Sequence, residues 1–280
     1  MSRDIDALTS STLKHLRERW WDRVFTEFLR DTLQPQAGNR ILDVGCGVGT
    51  AEISLGQLGI SQLRLYAVDL LVSRVLNAVT QAAAHNVRAR FAAADACRLP
   101  FGNGAFDSTF CVAVLQHVRD LSTAVQELAR VTRPGGHVLV VEPDTAARYW
   151  YSSIETGTRA FELATQFFTA LEGRGDATDR AVGPKVSTVF ASHGIQPMSV
   201  RLFPVSLARL GSLSPAVWET RRRIVRGAID RLADDTLRDL GEEYLRVLVR
   251  YEEEAAAAGA RFVEIQNTML FATVGRKPAS

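Results

Sequence analysis

Five short apolar runs, Arg40–Val44, Leu63–Asp69, Val87–Ala94, Phe106–Val114 and His137–Glu142, are each followed by a segment of helical or loop character. Most are dense in Val, Ile, Leu, Phe and Ala and do not alternate apolar with polar. That is the pattern of strands buried on both faces of a parallel sheet. Helices fit between them over 50–59, 72–85 and 121–132. Alternating strands and helices, joined by right-handed crossovers, give an α/β fold. The chain has 280 residues, 46% hydrophobic and 23% charged, which is globular composition with ample length for a core.

Outside this stretch the pattern changes. Residues 10–33 read as one amphipathic helix capped by Ser10 or Ser11, with Leu13, Leu16, Trp20, Val24 and Phe28 at helical spacing. Residues 145–178 are aromatic and polar without a clean strand, and 182–193 read as a helix ended by Gly194. Met198–Val205 reads as a strand, with Pro204 marking its end or a sheet edge. Residues 214–258 read as two helices broken near Ala233–Asp235, and Phe262–Val274 as a final strand. The run Arg221, Arg222, Arg223 and Arg226 reads as a solvated face of an inserted helix. The expected division is an N-terminal helical cap (1–36), a cofactor-binding core (37–144) and the rest of the sheet (145–280), with lid and insertion helices over 145–193 and 207–260.

The chemistry is concentrated at the ends of the first three strands. The first strand runs into Asp43-Val44-Gly45-Cys46-Gly47-Val48-Gly49-Thr50. Its glycines permit a tight turn and a close ligand approach, and the helix that follows turns its first amides into the same crevice. Dinucleotide folds use G-x-G-x-x-G, whereas the spacing here is G-x-G-x-G. Asp43, two residues before Gly45, is poorly placed for a pyrophosphate and well placed for a cationic amine, such as the amino-acid end of S-adenosylmethionine. Asp69 ends the second strand, where an acidic side chain can take both ribose hydroxyls. Asp95 ends the third and can accept from an adenine amino group while the Ala96 amide faces a ring nitrogen.

On these residues the chain resembles the class I S-adenosylmethionine-dependent methyltransferases of the ubiquinone/menaquinone-biosynthesis type. The matching segments are ILDVGCGVGT (41–50), VDL (68–70), DACRLPFGNGAFDSTFCVAVLQHV (95–118) and RVTRPGGHVLVVEPD (130–144). The resemblance implies a Rossmann-like, doubly wound, seven-stranded and mostly parallel sheet. It implies that Asp43, Gly45 and Gly47 hold the methionine portion and that Asp69 takes the ribose. Leu70 would pack on adenine, and Asp95 and Ala96 would read it. Cys111 would offer its carbonyl to the methionine amine, and Gln116 and His117 would border cofactor and substrate.

His117 and Glu142 are the candidate proton-handling groups. Asp144, Tyr149 and Trp20 are candidate acceptor contacts, and Tyr149-Trp150-Tyr151 with Phe161, Phe167 and Phe168 would wall a lid pocket. The expected reaction is in-line transfer of a sulfonium methyl to N, O or C of a small apolar or aromatic metabolite, releasing S-adenosylhomocysteine. A peptide acceptor, or a non-methylating enzyme that uses S-adenosylmethionine as a scaffold, are the alternatives.

Other classes are disfavoured. A net charge of +2 carries no electrostatic footprint of nucleic-acid binding, and no Asn/Asp-Pro-Pro-aromatic loop follows the fourth strand. Cys46, Cys97 and Cys111 are widely spaced and odd in number, with neither a disulfide framework nor metal-ligand spacing. The first residues lack an apolar signal region, and no run of ~18 apolar residues suits a membrane span. A cytoplasmic, metal-free enzyme is expected, whose inserted helices could pair across a homodimer.

Overall fold

The computed structural model describes residues 21–172 and 181–279. Helix α1 (Arg23–Leu33) leads into β1 (Arg40–Val44), α2 (Thr50–Gly56), β2 (Arg64–Asp69), α3 (Val72–Ala84), β3 (Ala89–Ala93), β4 (Phe106–Val112) and α4 (Leu121–Val131). There follow β5 (Thr132–Ser152), α5 (Glu155–Glu172), α6 (Val186–Ser192), β6 (Gln196–Leu210), α7 (Pro215–Ile229), α8 (Asp235–Ala258) and β7 (Val263–Arg276). The seven strands form one sheet in the order β3-β2-β1-β4-β5-β7-β6. β1 pairs in parallel with β2 and β4, β2 with β3, and β4 with β5. The expected α/β sheet is therefore present, and β6 lies at its edge, where a proline without an N–H is tolerated.

The non-alternating apolar runs now have a physical cause. Successive strand residues point to opposite faces. Leu42, Cys111, Val138 and Val140 enter one buried cluster, with Leu128 of α4 and Phe190 of α6. Ile41, Phe110, Leu139 and Val141 enter another, with Phe25, Leu29 and Leu33 of α1. Helices thus cover both faces, so most positions along the central strands are apolar, with Asp43, Ser108 and Thr109 the buried polar exceptions.

The chain divides into two compact units. One gathers the described residues up to Asp144, those from 181 to Val205 and those from Met269 onward. The other holds the described residues between Thr145 and 172 and those from Ser206 to Thr268. Its helices α5, α7 and α8 pack around Leu163, Phe167, Trp218, Leu248 and Tyr251. Gly241 of α8 sits against this core, where an added Cβ would lie 2.6 Å from Ile229 Cγ1 and 2.8 Å from Phe167 Cε2. Gly241→Ala is expected to lose about 1–2 kcal/mol, because overpacking outweighs the gain of about 1 kcal/mol in helix propensity. Denaturant unfolding checks this.

Three expectations change. The helix expected over 10–33 does not run through residue 22: Asp22 is extended (ψ 179°) and its side chain caps a helix beginning at Arg23 by accepting from Phe25 N. The expected caps at Ser10 and Ser11 lie outside the described residues. β5 does not end at Glu142 but continues to Ser152, so Tyr149–Tyr151 lie on a strand and not in a lid helix. Aromatic side chains favour a pleated surface. Arg221 and Arg222 are not on a solvated face, their side chains being only 15% exposed. Arg222 pairs with Glu219 and Glu252, and Arg221 with Glu264.

Candidate cofactor crevice

The C-terminal ends of β1, β2 and β3 and the turn after β4 enclose a crevice of about 710 Å³. Asp43, Gly45, Gly47, Asp69, Leu70, Asp95 and Ala96 all line it. These residues lie on three separate strand ends, and the parallel register brings them together: Asp43 pairs with Ala67, and Asp69 with Ala93.

The glycine turn is required by its surroundings. Gly45 has φ +86°, and a Cβ there would stand 2.2 Å from Val114 Cγ2. Its amide donates to Val68 O at 2.6 Å, locking the turn to β2. Gly47 N donates to Asp69 Oδ2 at 3.0 Å, and Leu71 N donates to Asp69 Oδ1 at 3.0 Å. Two backbone donors thus fix the Asp69 carboxylate, while each oxygen keeps a lone pair for a ligand hydroxyl. Asp95 is fixed in the same way by Cys97 N at 2.9 Å. Arg74 of α3 also lines the crevice, with Nη1 3.9 Å from Asp69 Oδ2.

Asp43 is 4% exposed, and Glu52, in the first turn of α2, is 1% exposed. Burial raises both carboxyls above the ordinary range, Glu52 to about 7. Burial and the nearby Asp43 carboxylate hold the Cys46 thiol far above its usual range, so it is no thiolate nucleophile.

Beyond β4 the backbone is strained. Ala113 has φ +57°, and Ala113 N donates to Val141 O at 2.8 Å. Such non-glycine outliers persist where surrounding contacts over-determine them. Val112, Ala113, Val114 and His117 line the crevice at this point. Cys111, whose carbonyl was expected to meet the methionine amine, is fully buried within β4, paired with Val140, and does not line the crevice.

Glu142 and Gln116 also lie outside the crevice lining. Glu142 is fully buried. It accepts from Val114 N and Leu115 N at 2.7 Å and from Gln116 N at 3.3 Å. Its carboxylate holds the turn that carries His117, and so corrects the expectation of a proton-handling group facing an acceptor. Asp144 is 8% exposed and does not line the crevice. Tyr149 is 60% exposed and belongs to the second unit. Trp20 lies outside the described residues, but its neighbour Trp21 lines the crevice.

Several lining residues were not anticipated: Trp21, Thr50, Ser73, Arg74 and Asn77. Ser73, Arg74 and Asn77 follow Asp69 at spacings of four, five and eight on α3. Their helical repeat is the signal that could have found them. Among the described residues, no group of three His, Cys, Asp or Glu side chains is arranged to hold a metal. No described helix is long and apolar enough to cross a membrane.

A mostly parallel sheet with a G-x-G-x-G turn and one carboxylate at each of three consecutive strand ends is a Rossmann-like arrangement. Over residues 42–140 the chain matches the sequence family described as "Methyltransferase domain". A demethylmenaquinone methyltransferase of Mycolicibacterium gilvum is 32% identical over 147 residues, 52% of this chain and 59% of that protein. The chain thus spans little more than half the length of the curated relatives it matches. Among solved structures, the cyclase SpnF aligns with a TM-score of 0.54 at 19% identity, covering 92% of this chain and 81% of that one. Geranyl diphosphate C-methyltransferase of Streptomyces coelicolor A3(2) aligns with a TM-score of 0.51 at 14% identity, covering 91% and 80%. These two likenesses show the fold alone.

Proposed function

We propose that the protein is an S-adenosylmethionine-dependent methyltransferase that acts on a small apolar or aromatic metabolite. The observation that carries this reading is the convergence of Asp43, Asp69 and Asp95 on one crevice beside the glycine turn. The donor set fits the cofactor: a buried carboxylate for its ammonium group, a braced carboxylate for its ribose and a third for its adenine. The space around Gly47, where a Cβ would meet nothing within 4 Å, admits the ligand close to the backbone.

Asp43 takes the ammonium group, and Asp69 accepts from the ribose hydroxyls with its spare lone pairs. Asp95 and the Ala96 amide read the adenine edge, against which Leu70 packs. When bound, S-adenosylmethionine supplies a methyl group already activated on a sulfonium. The chain's remaining task is to bring an N, O or C nucleophile into line and exclude water. His117 is the lining imidazole that orients such an acceptor or takes its proton. Trp21 gives the crevice an apolar wall.

The demethylmenaquinone methyltransferases among the relatives favour a small aromatic acceptor over a peptide. The test is turnover with hydroxylated aromatics and quinols. Stoichiometric S-adenosylhomocysteine with a methylated product supports methyl transfer. Converted acceptor without S-adenosylhomocysteine would mean that the cofactor is a scaffold. His117→Ala is expected to lower kcat by about 100-fold if the acceptor must lose a proton.

A further inference from the structure

A buried acid that does not line the crevice holds one of its walls. Glu142 of β5 is fully buried. Its Oε1 accepts from Val114 N and Leu115 N at 2.7 Å each, and its Oε2 from Gln116 N at 3.3 Å. The carbonyl of the preceding residue, Val141 O, accepts from Ala113 N at 2.8 Å. Two consecutive residues of β5 thus hold four consecutive amides after β4. The first of the four belongs to Ala113, whose φ of +57° lasts only where the surroundings over-determine it.

Two features of the crevice depend on this segment. Val114 lines the crevice, and its side chain fills the space over Gly45, where a Cβ would stand 2.2 Å from Val114 Cγ2. The segment then enters the one-turn helix Leu115–His117, closed by His117 N donating to Val114 O at 2.9 Å. His117 lines the crevice as well. The residue that packs on the glycine turn and the lining imidazole are therefore three positions apart, and one carboxylate fixes the backbone of both. An ionised carboxylate suits this place because both of its oxygens accept.

We infer that Glu142 is a positioning residue: through residues 113–117 its carboxylate sets both the fit of the glycine turn around the ligand and the direction of the His117 ring. It does not itself meet the ligand. Glu142→Gln keeps the volume of the side chain and one accepting oxygen. It replaces the other oxygen by an N–H donor set against a backbone N–H, which leaves a buried amide without a partner.

This assignment rests on the S-adenosylmethionine reading, and the test separates the two. The full chain and its Glu142→Gln variant are titrated with S-adenosylhomocysteine by calorimetry. The His117 ring signal, assigned through His117→Asn, is followed by NMR in the free and saturated proteins. Glu142→Gln is expected to raise Kd by about tenfold, the worth of roughly one charge-assisted hydrogen bond. Its His117 ring signal is expected to differ from that of wild type in both states.

A Glu142 that merely stabilises the fold would lower the thermal midpoint and leave Kd and the ring signal of the folded variant unchanged. That result overturns the proposal and spares the cofactor reading. No binding by folded wild-type protein overturns the cofactor reading and the proposal with it. If Glu142→Gln does not fold, hydrogen exchange in the wild type decides. Exchange at the Val114 and Leu115 amides that slows on saturation with the ligand supports the coupling, and exchange that the ligand leaves unchanged overturns it.

Discussion

Asp43→Asn is expected to weaken S-adenosylmethionine binding by about 100-fold, or about 3 kcal/mol, in equilibrium titration at neutral pH. The substitution keeps the volume of the side chain and removes the carboxylate proposed to receive the ligand's ammonium group. The same change relieves a buried cluster in which Glu52 and Asp69 both oppose ionisation of Asp43. Thermal stability is therefore expected to hold or rise while affinity collapses. That divergence distinguishes a binding role from a structural one, since a structural Asp43 would lose both together. Unchanged affinity would remove Asp43 from the site.

Glu264→Ala is expected to cost about 3 kcal/mol in the helical unit, because it removes the buried carboxylate that two partly buried guanidiniums share. Glu264 is fully buried. It accepts from Arg209 Nη1 at 2.8 Å, from Arg221 Nη2 at 2.6 Å and from the Tyr251 hydroxyl at 2.9 Å. Tyr251 is itself buried, and with its one hydroxyl proton directed at the carboxylate its oxygen accepts from the Ser152 hydroxyl at 2.9 Å. The Arg221 guanidinium lies 4.7 Å from the centroid of the Trp218 ring, so its loss of a partner would disturb the aromatic core too. Hydrogen exchange resolved by residue reads the effect in α7 and α8 directly. The arginine partners hold the Glu264 carboxyl below its ordinary range despite its burial. Its contribution is therefore present above the unfolded carboxyl pKa of about 4.3. It is lost as pH falls through the lower folded value, a loss that Glu264→Ala should not show.

Much of the fold was legible because the signal was redundant. β1 was read with its observed bounds, since Ile41, Leu42 and Val44 are apolar on both faces and the glycine turn ends the strand. The break between α7 and α8 fell where Asp234 caps α8 by accepting from Leu237 N. The extension of β5 was not legible. Its aromatic run lacks a regular alternation, and Pro143 reads as a terminator until the neighbouring strands are known. Arg221 was misread for a related reason. A charge run on a helix looks solvated unless its partner is visible, and Glu264 lies 43 residues further along the chain.

The crevice was legible where acidic residues ended strands, because the parallel register alone brings Asp43, Asp69 and Asp95 to one side. Residues that enter it from helices or capped loops were not. Trp21 precedes α1 and Arg74 follows a turn, so neither carries a strand-end signature. Glu142 was read as a free acid because sequence cannot show the three backbone amides directed at it.

The most direct test of the account is calorimetric titration of the wild-type protein with S-adenosylmethionine and with S-adenosylhomocysteine. The crevice as described predicts one site per chain for each, with Kd in the micromolar range, and loss of both in Asp43→Asn. No binding of either ligand by folded wild-type protein would contradict it, and would leave a Rossmann-like fold without the proposed cofactor.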